Sequence, residues 1–177
     1  MTTIYKDGSF FQEDWQRLEI EAALPVSGTV LVPLGRFLED PSALTERTEP
    51  FGVLIEPADK VEHLAPYLGR IPLVAVVFPS FSDGRGFSAA RILREQMGYE
   101  GDIRAVGAYI LDQMPLARRC GVTSFEITKP EVLKALRAGE WPEVTKYLQP
   151  VETVEEIPEG TRPWARRSAR EFRDAAE

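Results

Sequence analysis

The chain has 177 residues, 44% hydrophobic and 28% charged, with a formal net charge of −7. This is the make-up of a globular protein large enough to bury a core of its own as one domain. The acidic balance argues against general nucleic-acid binding. No run approaches the roughly 20 apolar residues that a membrane-spanning helix needs.

The N-terminus, Met1-Thr-Thr-Ile-Tyr-Lys, lacks the apolar core of a secretion signal, so the expected location is cytoplasmic. Residues 1–28 read as an N-terminal cap. Ile4-Tyr5 and Phe10-Phe11 flank Lys6-Asp-Gly-Ser9, a hairpin signal of the Asp-Gly kind, and Trp15, Leu18 and Ile20 are placed to pack the cap on the body.

An α/β domain over 29–149 follows. Apolar strands are expected at Thr29–Leu34, Phe51–Glu56, Leu73–Phe78, Ile103–Val106 and Ser124–Thr128. Helical stretches separate them: Arg36–Thr48 (restarting at Asp40-Pro-Ser42), Val61–Leu68, Ser88–Met97, Ala108–Cys120, and one beginning at Pro130. Pro41 suits a first helical position, and Pro115 should divide the fourth helix near Gln113 or Met114. Five β-then-α units imply a parallel sheet with right-handed crossovers. Leu73–Phe78 is the most apolar strand and Ser124–Thr128 the most polar. This favours an open, flavodoxin-like order 2-1-3-4-5 with the fifth strand at an edge, a partial or dimer-completed (βα) barrel being the alternative.

In either arrangement ligands belong at the carboxyl ends of the strands. The most informative loop there is Asp83-Gly84-Arg85-Gly86, which enters a helix with Ser88 as N-cap. Its glycines let a partner approach the backbone, free helix N–H groups favour an anion, and Arg85 and Arg91 offer guanidinium forks for a carboxylate, sulfate or phosphate. The plain alternative is a turn capped by Asp83 with both arginines solvated. In the open-sheet order Arg36, after the first strand, would face this loop across the crevice. Asp112 and Gln113 could line the same mouth. The loop is neither a Walker A sequence nor a G-x-G-x-x-G fingerprint, so no nucleotide is implied.

With one cysteine and one histidine, an internal disulfide and a cysteine- or histidine-based metal centre are excluded, and no metal site is expected. His63 has no G-x-S-x-G partner and reads as a surface residue on a short helix. Arg118-Arg119-Cys120-Gly121 would place two guanidiniums beside a thiol. The cysteine lies at a helix carboxyl end, however, where the dipole opposes a thiolate, so a buried structural residue is expected. Residues 150–177 form a C-terminal extension rich in Pro, Glu and Arg, either disordered or docked on a second copy of the chain. Trp164 and Phe172 could anchor a short helix beginning near Pro163.

The run Phe78-Pro-x-Phe81-x-Asp83-Gly-Arg-Gly-Phe-Ser-x-Ala-Arg91-x-Leu-Arg94-Glu, followed by Gly98-Tyr99-x-Gly101, Arg104-Ala-x-Gly107, Asp112-Gln113 and Arg119-Cys-Gly121, resembles the bacterial family known as domain of unknown function 934. The resemblance spans roughly residues 3 to 135. It implies a role beside assimilatory sulfite and sulfate reduction, and it marks Asp83, Arg85, Arg91, Asp112 and Arg119 as part of a shared pattern. Two readings follow. The first is a non-catalytic accessory protein whose rim binds a small oxyanion, or a partner such as sulfite reductase or another sulfur-assimilation enzyme, with a homo-oligomer open. The second is a small oxidoreductase of sulfur metabolism, with Asp83 or Asp112 as acid or base and a cofactor that the sequence leaves unknown.

Overall fold

The computed structural model describes residues 1–142 together with the backbone of two later strands. The first three strands are β1 (Thr2–Lys6), β2 (Ser9–Glu13) and β3 (Gln16–Arg17). Asp7 and Gly8, with φ of 48° and 76°, make the two-residue turn that pairs β1 with β2. Positive φ at both positions matches the right-handed twist of the flanking strands, which is why Asp-Gly signals this hairpin.

Strands β4 (Val30–Pro33), β5 (Phe51–Ile55), β6 (Leu73–Phe78), β7 (Asp102–Gly107) and β8 (Ser124–Ile127) then lie side by side in chain order. The complete eight-stranded sheet runs β2-β1-β8-β7-β6-β5-β4-β3. It is mixed: β3 through β8 are parallel, whereas β1 is antiparallel to both β8 and β2.

The expected order 2-1-3-4-5 is therefore wrong. Consecutive strands are neighbours, no switch point exists, and β8 is not an edge because β1 covers it. Apolarity misled the assignment for a physical reason. The sheet curls into a half-barrel, so its central parallel strands have both faces covered, and β5 is buried at every position. The curl matches the barrel alternative. It is also visible in the connectivity: the two edge strands, β2 and β3, are joined by only Asp14 and Trp15. Three Cα steps limit the separation of Glu13 and Gln16 to roughly 11 Å, whereas a flat eight-stranded sheet would hold its edges about 33 Å apart.

Alternation then sorts the side chains. Val30, Val32, Val53, Val74, Val76, Phe78, Ile103, Ala105 and Phe125 point outward into the main core beneath the helices. Leu31, Leu54, Leu73, Ala75 and Val106 point inward, with Trp15 and Val77 packed against them. Burying each large side chain contributes about 1.5–3 kcal/mol. The inner face near β8 and β1 is polar instead. Arg104 is only 5% exposed. It donates to Ser124 Oγ (3.1 Å), Glu13 Oε2 (2.8 Å) and Asp102 Oδ2 (3.2 Å).

The helices differ in detail from expectation. α1 (Leu34–Glu39) begins directly at the end of β4, and α2 (Pro41–Thr45) has Asp40 as N-cap, its carboxylate accepting the Ala43 N–H at 3.1 Å. Val61–Arg70 is a run of 3₁₀ turns rather than an α-helix, with the donorless Pro66 inside it. α3 (Arg85–Arg91) starts three residues before Ser88, which is thus an interior residue and not the N-cap. A π-helical turn, Ile92–Gln96, extends α3, and Gly98 (φ 64°) ends it as expected. The expected helix from Ala108 is reduced to a 3₁₀ turn (Leu111–Gln113) and α4 (Met114–Arg119), with Pro115 in the first turn of α4. α5 spans Pro130–Arg137.

Most of the 150–177 extension lies outside the described residues, Phe172 included. Within it, β9 (Glu156–Glu159) pairs antiparallel with β10 (Arg162–Ser168), so the expected helix near Pro163 is a strand. Among the described residues, no helix is long and apolar enough to cross a membrane.

Candidate functional site

The carboxyl ends of β5 and β6 frame the Asp83–Gly86 loop. Ser80 O accepts the Asp83 N–H at 3.2 Å, closing a turn after Pro79, and Gly84 O accepts the Phe87 N–H at 3.1 Å as α3 begins. A Cβ on Gly86 would lie 2.7 Å from the Phe78 ring. That glycine lets α3 seat against β6.

Asp83 and Arg85 form a bidentate pair. Arg85 Nε donates to Oδ1 at 2.9 Å, Nη2 donates to Oδ2 at 2.6 Å, and the Arg85 backbone N–H also reaches Oδ1 at 3.2 Å. The Arg85 side-chain bonds, and then its backbone bond, hold the Asp83 carboxyl at about 2, below the usual 3.8, while the same carboxylate raises Arg85. At neutral pH Asp83 is thus a fixed anion and a poor proton donor or acceptor. It braces Arg85, whose side chain remains 61% exposed.

Beside this pair lies a cleft of about 230 Å³ between the β5 loop and α3, lined by Glu56, Asp59, Lys60, Glu62, Arg85 and Ser88 among others. Glu56 and Asp59 fall in the loop after β5, on the carboxyl-end rim, whereas Lys60 and Glu62 were not expected in its lining. No motif marks these residues, because the 3₁₀ run brings them round only in three dimensions. The cleft is of mixed charge, with Asp59 already accepting the Glu56 N–H at 2.8 Å.

Gln113 does join the Asp83 loop. Its Nε2 donates to Phe81 O at 3.1 Å and its Oε1 accepts the Ile110 N–H at 3.1 Å, tying the loops after β6 and β7 together. Asp112 is exposed on the same 3₁₀ turn. Lys129 completes the clamp by donating to the Ala108 and Tyr109 carbonyls at 3.0 and 2.8 Å. Phe81 stands 60% exposed at the loop tip. Neither Phe81 nor Lys129 was singled out by residue type.

Three expected members are elsewhere. Arg36 sits behind β4, two strands from β6, and donates to Glu19 O at 2.7 Å, so it does not face the Asp83 loop. Arg91 pairs with Glu95 at 2.6 Å near the end of α3. Arg119 ends α4, which leads to the amino end of β8. The positive charges of Arg91 and Arg119 bear instead on Cys120. Burial nevertheless outweighs them and pushes that thiol up, as expected for a structural cysteine.

Other residues of the pattern serve the fold. Tyr99 donates its hydroxyl to Ile71 O at 3.0 Å, and Arg94 donates to the carbonyls of Tyr99, Gly101 and Gly121. Among the described residues, no group of three or more His, Cys, Asp or Glu side chains is placed to hold a metal ion.

No curated protein matches the chain. The family model described as "Bacterial protein of unknown function (DUF934)" matches residues 52–155. That is more than half the chain, with its start at β5 rather than near residue 3 and its end beyond 135. It takes in the whole Asp83 loop and every strand from β5 to β8, and the chain belongs to this family.

Proposed function

We propose that the protein is an accessory component of assimilatory sulfite and sulfate reduction, receiving a small oxyanion or a reductase partner at the carboxyl-end rim of its sheet. The observation that supports this reading is Arg85: a guanidinium held in one orientation by Asp83, yet more than half exposed beside a cleft. Pre-organisation of this kind lowers the entropy cost of binding, and the planar fork suits an oxyanion or a partner carboxylate. The exposed Phe81 beside it supplies an apolar anchor of the sort that interfaces use. Glu56, Asp59 and Glu62 in the same cleft oppose a bare anion, which weights the reading toward a partner that also brings positive charge. The link to sulfur chemistry rests on the family resemblance alone.

The test has two arms, each run on wild type and Arg85→Ala. Thermal shifts with sulfite, sulfate and phosphate should show stabilisation that the variant loses, because a ligand of the native state stabilises by mass action. Pull-down of sulfite reductase at modest salt should fail with the variant. Equal behaviour of the two proteins in both arms overturns the reading.

A further inference from the structure

A second cleft, of about 510 Å³, lies at the opposite edge of the sheet, by the amino end of β8. Tyr5, Arg94, Arg118, Thr123 and Trp141 line it, and Asp7 is its acidic member among the described residues. It shares no lining residue with the rim cleft.

Among the described residues, its two guanidiniums are short of negative charge. Arg94 spends three of its five N–H donors on the carbonyls of Tyr99, Gly101 and Gly121. Those dipoles satisfy hydrogen bonds without neutralising the cation. Partial burial lowers its pKa, against weaker support from Tyr99, Asp102 and Glu100. Arg118 is exposed and lies with Cζ 5.0 Å from the Trp141 ring centre. Neither arginine makes an ion pair among the described residues. Trp141 stacks on Tyr5 at 6.0 Å and 28°, giving the cleft an aromatic wall.

Two cations without an ion-pair partner among the described residues, Arg118 lying over the Trp141 ring, form a local exception in a chain of net charge −7. The volume falls in the roughly 300–1,000 Å³ range of sites for organic ligands and is far larger than a bare oxyanion requires. We propose that this amino-edge cleft binds an organic anion, its phosphate-, sulfate- or carboxylate-type group lying on Arg94 and Arg118 and its flat apolar body against Tyr5 and Trp141. Arg118 is the adaptable partner and Arg94 the fixed one, because its carbonyl bonds hold it in place.

Isothermal titration of the full chain with 1-naphthyl phosphate, 1-naphthoate and inorganic phosphate tests this. Saturable binding of at least one naphthyl anion is expected, with inorganic phosphate at least about tenfold weaker because it lacks the apolar body. Arg118→Met should weaken that binding about tenfold, Arg118→Lys should retain most of it, and Arg85→Ala should leave it unchanged. Arg118 is exposed, so both substitutions at that position should keep the wild-type melting temperature. Absence of saturable naphthyl binding, equal binding by Arg118→Met, or loss of binding in Arg85→Ala would each overturn the proposal. The last result would assign the anion to the rim instead, so the two sites fail separately.

Discussion

Arg17 Nη2 and Glu126 Oε1 meet at 2.6 Å although they are 109 residues apart in sequence and belong to strands on opposite sides of the sheet order. Five strand steps separate β3 from β8, about 24 Å along a flat sheet, which is beyond the reach of the two side chains together. The pair therefore reports the curl directly. Arg17 is 46% exposed and Glu126 15%, so its contribution is that of a partly screened surface bridge. A double-mutant cycle with Arg17→Ala and Glu126→Ala, read by urea denaturation, should give a coupling energy of about 0.5–1 kcal/mol. Most of it should vanish in 1 M salt, where the screening length falls to about 3 Å.

Arg104 should behave differently from Arg17. Its side chain is 6% exposed and faces Glu13, Asp102 and Ser124 inside the curl. Truncation to alanine takes the buried cation from Glu13 and Asp102, leaving them Trp15, Lys6, Thr123 and Ser124 as partners, and a loss of about 3 kcal/mol is expected in denaturant titrations. A loss below 1 kcal/mol would mean that water reaches these groups freely and that the inner face is not closed.

Gly107 is the most constrained glycine next to the rim. Its φ is 105°, and an added Cβ would stand 2.4 Å from Phe78 O. The Ala108 N–H donates to that same carbonyl at 2.6 Å, so the backbone cannot retreat without losing the bond. Gly107→Ala combines unfavourable φ with a backbone clash and should destabilise by more than about 2 kcal/mol, seen as a lowered melting temperature. The Asp83 loop should loosen with it, because Ile110, next along this segment, hydrogen-bonds to Gln113, which also holds Phe81.

Asp83 gives a prediction in pH. Its folded-state pKa of about 2 is depressed from 3.8. The pairing with Arg85 therefore adds to stability above pH 3.8, and that contribution is lost as pH falls from 3.8 through about 2. Carboxyl carbon shifts in NMR titration should place the midpoint near 2 in wild type and return it toward 3.8 in Arg85→Ala. An unchanged midpoint in the variant would show that the Arg85 side chain does not orient toward Asp83 in solution.

Local features were legible in the residues. The Asp7-Gly8 hairpin, the extent of β6, the Asp40-Pro41 helix restart, the stop at Gly98 and the division of the helical stretch before Pro115 all follow from φ preferences and missing donors, which act over a few residues. Strands β4 to β8 and the position of the Asp83 loop at the carboxyl end of β6 were legible for the same reason, because hydrophobic runs and short loops define βα units. So was the burial of Cys120.

Which strands become neighbours was decided only in three dimensions. A strand covered by helices on one face and by the opposite wall on the other has the same apolar composition as one in the middle of an open sheet. Only the pairing of β1 with β8 and of β3 with β4, closed by the short Asp14-Trp15 link, distinguishes the two. The curl then sends Arg36 to Glu19 and Arg104 to Glu13, and it separates Arg85 from Arg119. Charge pairing depends on distances of a few ångströms between segments far apart in the chain, and no local pattern of residues encodes them.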